Sequence, residues 1–459
     1  MRRTALALER QVDRAELGSW KVSPSKSLPF GIIPFIKGRE DFEAVFRQPD
    51  LLSDGQPIEI SGFGVESILR RAAVLEMELG REDITRSFTT LVREHPPVVS
   101  FPPDLVWLAH DDVVNVKLKD SLEKTLPASS LALTSEDTKQ IAETICSNLV
   151  ANPQKFAFWL AMTRRDSQTS LPYTRLLIEY SVTAATRARA LGFGGLIPPV
   201  DSQTPGSVDW VHRLNLATAE VVRDRLNDGI STPPYLYTIG VNSSAFLADT
   251  PSPTLESLLA DVRAALTGAV SDYFDGIHLT IRGLSRISLS GGRTNVAIDF
   301  ISRLGAIAQA AGVPLWWSRP GILGLPGHDA GCSFTSYSPN LGVEDLYTTG
   351  GPPPGDPQSQ FGKVLNSTQR AIWDYRQVTR AMNGPDGGLP DLGLARHFPN
   401  DDELSSARRY RIHFSKPYTV AAFRHLWVDW RQSILQGETT PGREYIQSFE
   451  APFNQWGLR

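Results

Sequence analysis

The sequence contains very little cysteine, and this scarcity excludes two classes of protein. Cys146 and Cys332 are the only two cysteines in 459 residues. Two thiols so far apart in the chain form neither a disulfide framework nor a cysteine-rich zinc site. The scarcity agrees with a reducing compartment, and we therefore expect a cytoplasmic protein.

Long apolar runs are also missing. The longest uninterrupted apolar segment covers residues 156–162, whereas a membrane-spanning helix needs roughly 18 such residues. The N-terminal apolar stretch ends at Glu9 and Arg10, before it reaches the about 7–15 residues of a signal peptide. We expect neither a membrane anchor nor a leader sequence.

Neither sign of charge is in excess. The chain has 46 Lys and Arg against 50 Asp and Glu, which gives a net charge of −4. This balance gives no reason to expect a basic surface that coats nucleic acid along the whole chain. With 41% hydrophobic and 21% charged residues, the composition is typical of a globular protein.

The usual sequence motifs of cofactor and metal sites are absent. There is no P-loop, nucleophile elbow, zinc-protease helix, EF-hand loop or dinucleotide-binding glycine pattern. The eight histidines include no pair at the i, i+4 spacing of a helical metal site. We therefore expect no cofactor and no metal.

The sequence does contain a regular alternation of strand and helix patterns from residue 155 to residue 340. Short apolar runs predict strands at 156–162, 194–200, 235–241, 276–282, 313–318 and 331–337. Periodic segments between them predict helices at 171–191, 208–226, 255–274 (with Thr254 as its N-cap) and 295–311. Each of these helices is followed by a glycine, which commonly ends a helix.

The N-terminal third repeats this alternation less regularly. Strands are predicted at 30–36, 57–63 and 113–118, and helices at 40–46, 65–79 and within 135–149. Four prolines interrupt residues 95–104, so we expect 98–101 to be at most an edge strand.

Alternating strands and helices imply parallel pairing with right-handed crossovers. The sequence predicts a (β/α)8-type parallel barrel, irregular in its N-terminal third, with a C-terminal helical extension. An open doubly wound sheet is the alternative. The barrel is favoured because the units are evenly spaced and no glycine fingerprint marks a dinucleotide crevice.

Composition divides the chain into four segments. Residues 1–27 form an N-terminal arm, 28–347 the barrel, 348–400 loops rich in proline and glycine with one helix at 366–382, and 401–459 a helical extension. A helix at 418–435 carries an apolar stripe, which we expect to pack on the barrel, on a protein partner or on a second copy. Basic residues around it leave nucleic acid as an alternative partner.

Polar residues follow the predicted strands, and the C-terminal ends of parallel barrel strands converge on one mouth, where barrel enzymes bind substrate. Guanidinium groups there suit phosphate or carboxylate, which they hold through two parallel hydrogen bonds. The alternative is that these charges are simply solvated. The residues predicted to bind substrate are Lys37, Arg39, Arg164, Asn242, Arg282, Ser318 and Arg319.

Three residues are candidates for catalysis. Asp166 and Asp201 follow predicted strands and suit an acid, a base or a nucleophile. Alternatively, Asp166 pairs with a neighbouring arginine and Asp201 caps the next turn. His278 alternates with Thr280 and Arg282 along one strand, and it is either a catalytic group under the mouth or a core histidine.

Together these patterns predict a barrel enzyme of hydrolase or transferase type. Its substrate would be an anionic small molecule, a nucleotide or a nucleic acid that carries phosphate or carboxylate. The alternative is a barrel without catalytic activity that serves as a binding or assembly module through its C-terminal helices.

Overall fold

A computed structural model describes the fold. The residues that it describes are 31–46, 57–78, 95, 97–101, 119, 122–126, 133–151, 171–197, 199–200, 206–246, 252–282, 293–320, 324–337, 364–366 and 371–373.

Eight parallel strands form one curled sheet. They are β1 (Ile32–Ile36), β2 (Ile58–Ser61), β3 (Pro97–Ser100), β4 (Gly192–Phe193), β5 (Tyr237–Asn242), β6 (Ile277–Arg282), β7 (Leu315–Ser318) and β8 (Phe334–Tyr337). Their order in the sheet is β4-β3-β2-β1-β8-β7-β6-β5. Apart from β4 and β5, which stand at the two ends of this order, each strand lies beside its neighbour in the chain, and β8 lies beside β1.

Backbone contacts also join the two end strands of this order. Phe193 N–H donates to the Pro234 carbonyl at 3.0 Å, and Leu236 N–H donates to the Phe193 carbonyl at 2.9 Å. Further along, Val200 pairs in parallel with Val241. These contacts place β4 next to β5, so the architecture is the α/β barrel that the sequence predicts rather than an open sheet.

Helices cover the outside of the sheet. They are α1 (Arg39–Phe46), α2 (Val65–Glu78), α3 (Ser135–Ala151), α4 (Leu171–Arg187), α5 (Ser207–Asn227), α6 (Pro253–Thr267), α7 (Arg293–Ala311) and α8 (Gly324–Asp329). Short 3-10 turns follow β2, β5 and α6 at Gly62–Gly64, Ser243–Phe246 and Ser271–Tyr273. Gly229 and Gly312, just beyond α5 and α7, have φ values of 77° and 68°, which glycine adopts without strain.

The apolar core consists of two layers, because strand side chains alternate between the two faces of the sheet. The outer layer, between strands and helices, includes Ile36, Ile60, Val99 and Ile277. A separate cluster occupies the opposite face and forms the apolar floor of the barrel interior: Ile33, Val98, Leu236, Trp316 and Phe334. In this floor the rings of Trp316 and Phe334 stack with centroids 4.4 Å apart.

Most predicted elements are confirmed within a few residues, but the strands near β4 differ. β3 pairs with both β2 and β4 and is therefore an interior strand, not the edge strand expected for 98–101. Pro97 is tolerated because it is the first residue of the strand. β4 therefore has β3 as its neighbour on this side, and not the strand predicted at 156–162. That segment and the strand predicted at 113–118 both lie outside the described residues.

Three further predictions need correction. The strand expected at 194–200 is regular only at Gly192–Phe193 and resumes its pairing at Val200. Helix α6 ends at Thr267 rather than at 274, and its N-cap is Ser252, whose side chain accepts a hydrogen bond from Leu255 N–H. Within the helix expected at 366–382, the described residues form an antiparallel pair, β9 (Val364–Asn366) with β10 (Ala371–Trp373), whose apolar and β-branched residues favour strands.

A side chain from α5 fills the gap in pairing between β4 and β5. Asn215 is fully buried; its amide donates to the Thr238 carbonyl at 2.9 Å and its oxygen accepts from Thr238 N–H at 2.7 Å. The Thr238 hydroxyl accepts from Gly195 N–H and donates to the Leu236 carbonyl, both at 2.9 Å. Side chains thereby satisfy backbone groups that the interrupted strand leaves without a partner.

Candidate functional site

The inner face of the barrel changes from apolar to polar along the strand direction. On three strands, each floor residue is followed two positions later by a serine on the same face: Val98 by Ser100, Trp316 by Ser318, and Phe334 by Ser336. Ser61 and Thr280 occupy corresponding positions on β2 and β6, and all five hydroxyl residues are buried. The C-terminal half of the interior is therefore polar above an apolar floor.

Glu59, on β2, connects side chains of three strands on the inner face of the barrel. It is fully buried, and its Oε1 accepts a hydrogen bond from the Ser318 hydroxyl of β7 at 2.5 Å. The same oxygen lies 3.5 Å from Nε2 of His278 on β6, which is too long for a well-formed hydrogen bond.

Glu59 is ionised at neutral pH. Burial by itself raises the pKa of this carboxyl, but the contact with His278 and the hydroxyls of Ser318 and Ser100 outweigh burial and hold the pKa below its usual range. The interior of the barrel therefore contains a fixed negative charge.

Arg319 places a cation beside this carboxylate. Its guanidinium lies over the Phe35 ring, 5.0 Å from the ring centroid, and its Nε donates to the Ser318 hydroxyl at 3.3 Å. The backbone at Arg319 has a φ of 59°, which non-glycine residues rarely adopt, and its N–H donates to Ser336 Oγ at 2.8 Å. This bend directly follows β7, at the C-terminal end of the barrel.

His278 is fully buried on the inner face, as the alternation along its strand predicts. Its Nδ1 lies on the side of Gly194: a Cβ atom at position 194 would stand 2.9 Å from Nδ1 and 3.0 Å from the Thr238 hydroxyl. Neither ring nitrogen has a hydrogen-bond partner among the residues that the structure describes. The absence of a side chain at Gly194 thus leaves room for the imidazole.

Six of the seven predicted substrate-binding residues fall into three groups. Ser318 and Arg319 converge with His278 around Glu59, as described above. Lys37 and Arg39 follow β1 and are exposed. Asn242 and Arg282 are paired in register at the ends of β5 and β6, and the Arg282 side chain lies outside the described part of the structure.

The predicted acids and one predicted arginine stay untested. Asp166, Asp201 and Arg164 all lie outside the described residues. The roles assigned to them remain predictions, and so do the burial and partner of the 418–435 helix, which the structure does not describe either.

Sequence reasoning missed Glu59, the residue that connects the site. The signal is present, because Glu59 stands alone between two isoleucines in the short strand pattern Ile58–Ser61. An acidic residue in the middle of a strand that is buried on both faces must find polar partners inside the protein. The search for residues after the strand ends overlooked it, since Glu59 precedes the end of β2 by two positions.

Comparison with known proteins adds no identification: no protein-family model matches the chain, and no curated protein has a significant match to it. Among the described residues, no cluster of three or more His, Cys, Asp or Glu side chains has the arrangement of a metal site. No helix in the described part is both long and apolar enough to span a membrane.

Proposed function

We propose that this protein is a barrel enzyme of hydrolase or transferase type that binds an anionic substrate at the C-terminal mouth of the barrel. The observation that carries the proposal is the change of the inner face from an apolar floor to a polar layer that contains Arg319. Barrel enzymes build their sites at this end because all strands deliver residues there.

The chemistry of Arg319 favours an anion that carries several oxygens. Its guanidinium is always charged and presents its donors in a planar fork, which matches phosphate and carboxylate. Phe35 below the guanidinium and the Ser318 hydroxyl beside it fix the plane of that fork. Arg319 is 4% exposed, so an anion has to reach it from the mouth rather than from bulk solvent on all sides.

A melting experiment with inorganic phosphate tests the proposed anion site. An anion that binds only the folded protein raises the melting temperature as its concentration rises. We expect this response in the wild type, its loss in Arg319→Ala and a partial response in Arg319→Lys, because lysine lacks the planar fork. Sodium chloride at equal ionic strength controls for general salt effects.

Arg189→Ala is the matched control. Arg189 also has a positive φ, 51°, but it is exposed and lies just before β4, at the opposite end of the barrel. The two alanine variants therefore remove the same charge from the same backbone conformation. Equal phosphate responses in the wild type and in Arg319→Ala would refute the anion site and favour a barrel without catalytic activity.

Catalysis requires a separate measurement. If Asp166 or Asp201 is the acid, base or nucleophile, Asp166→Asn or Asp201→Asn will abolish turnover of a phosphate-ester library. Both variants should keep the phosphate response, because neither removes a cation. A library that the wild type does not turn over, together with an intact phosphate response, would support anion binding alone.

A further inference from the structure

Glu59 contacts two residues that stand on different strands and have different chemistry. Ser318 Oγ donates to its Oε1 at 2.5 Å, and His278 Nε2 lies 3.5 Å from the same oxygen. All three side chains are at most 1% exposed. A buried carboxylate in this position determines the direction of the hydrogen atoms on its neighbours, because it can only accept.

The Ser318 hydroxyl provides a directional link to Arg319. Since its hydrogen is given to Glu59, its oxygen is left as an acceptor, and Arg319 Nε donates to it at 3.3 Å. The chain of donors thus runs from Arg319 through Ser318 to Glu59. Without the carboxylate, the Ser318 hydroxyl could turn and present its hydrogen to the guanidinium, which has no acceptor.

The same carboxylate selects one tautomer of His278. In a neutral imidazole one nitrogen carries the hydrogen and the other accepts, and the partner of one nitrogen decides the arrangement. Nε2 faces the ionised Glu59 and Nδ1 faces Gly194. Neither ring nitrogen forms a hydrogen bond with a described residue, so the negative charge 3.5 Å from Nε2 decides the arrangement. The hydrogen is therefore favoured on Nε2, and Nδ1 is left with its lone pair.

We propose that Glu59 is a positioning residue that holds the Nε2–H tautomer of His278 and, through Ser318, the orientation of the Arg319 guanidinium. Carboxylates serve histidine bases in this way in hydrolases, where they fix the tautomer without taking the proton. His278 then keeps an unprotonated Nδ1 on the side of Gly194. This inference rests on the proposed function for the role of Arg319 but not for the tautomer of His278.

The tautomer can be observed directly by nitrogen NMR of the full-length protein labelled with ¹⁵N-histidine, measured at pH 8. The His278 signals are assigned by their disappearance in His278→Gln. We expect a pyrrole-type Nε2 and a pyridine-type Nδ1 in the wild type. Glu59→Gln, which keeps an acceptor oxygen, should retain this pattern, and Glu59→Met, which removes it, should shift both nitrogens toward averaged values.

A second variant tests the link to Arg319 should Glu59→Met not fold. Ser318→Ala leaves the charges in place but removes the bridging hydroxyl, and we expect the phosphate concentration needed for a given rise in melting temperature to increase roughly tenfold. Ser333→Ala, which removes a buried hydroxyl at the opposite end of the barrel, should leave the phosphate response unchanged.

Two results would overturn the inference: a hydrogen on Nδ1 of His278 in the wild type, or the same tautomer in Glu59→Met as in the wild type. An unchanged phosphate response in Ser318→Ala would remove the link to Arg319. Failure of the proposed function looks different, because then the wild type itself would lack a phosphate response while the tautomer pattern still depended on Glu59.

Discussion

Two buried histidines, His278 inside the barrel and His328 on α8, have different neighbours. His278 faces the ionised Glu59 inside the barrel. His328, on α8, is buried with Nδ1 2.9 Å from the Cys332 carbonyl and Nε2 3.3 Å from the Thr335 hydroxyl. Uncharged oxygens, the Gly31 carbonyl among them, hold His328 in place, but they do not replace the hydration that an imidazolium would lose.

Burial therefore lowers the pKa of His328 to about 4, even though backbone hydrogen bonds act in the opposite direction. The folded protein excludes the proton, while the unfolded chain takes it up at the ordinary value of 6.5. Between these two values the unfolded state binds more protons, so stability falls as the pH falls from 6.5 toward 4.

We expect the free energy of unfolding to drop by about 1 kcal/mol between pH 7 and pH 5.5 through His328 alone. Urea unfolding of the wild type and of His328→Asn at both pH values measures this contribution. The variant should be less stable at pH 7 but should lose less stability on acidification. An equal loss in both proteins would show that His328 is not the group responsible.

Cysteine chemistry plays no part in the site. Cys146 and Cys332 are both buried, and neither forms a disulfide bond. Burial raises the pKa of Cys146 to about 11, and it raises the pKa of Cys332 still further. Both side chains are therefore thiols at neutral pH, and a thiol is a poor nucleophile compared with a thiolate.

At the scale of elements, α5 takes part in the barrel wall through one side chain. Asn215 makes two hydrogen bonds with the backbone of Thr238 and accepts a third from the Tyr235 hydroxyl at 2.8 Å. It thereby completes the wall where β4 and β5 separate. This role makes α5 a structural part of the sheet rather than only a cover over it.

Asn215→Ala should be strongly destabilising, because it leaves several buried polar groups without partners. We expect a loss of roughly 3 kcal/mol in the free energy of unfolding. Urea unfolding at pH 7 measures this, with Asn227→Ala as the control, since Asn227 is exposed at the end of the same helix. A loss below about 1 kcal/mol would mean that water replaces the side chain and that the wall is open at this point.

The sequence predicts regular elements well where a single pattern dominates. β1, β5, β6, β7 and β8 were all predicted within a few residues, because each is a short apolar run between turn signals. β4 was misplaced because its regular pairing covers only Gly192–Phe193, and the side chain that replaces the pairing, Asn215, comes from α5. Local patterns do not contain such a contact.

The prolines around β3 led to a different error in the prediction. The prolines around 98–101 suggested an edge, yet Pro97 begins an interior strand in which the following residues pair on both sides. Proline excludes a donor only at its own position, so a strand that starts with proline keeps the rest of its ladder.

At the scale of the whole molecule, closure of the sheet is what creates a site. Glu59 and Ser318 are 259 residues apart in the chain and come into contact only because β8 returns to β1. Ser318 and Arg319 were selected because they stand at the end of a predicted strand, and His278 because alternation along its strand places it on the inner face. Their common partner could not be predicted, because strand order alone does not give the stagger between distant strands.

The central claim is that an anion binds beside Arg319 at the C-terminal mouth. Crystals grown with selenate in place of sulfate, measured at the selenium edge, test it directly. We expect an anomalous peak whose oxygens lie about 3 Å from the Arg319 guanidinium, and no such peak in Arg319→Ala. A wild-type map without a peak at this position, while Arg319 remains over Phe35, would contradict the account.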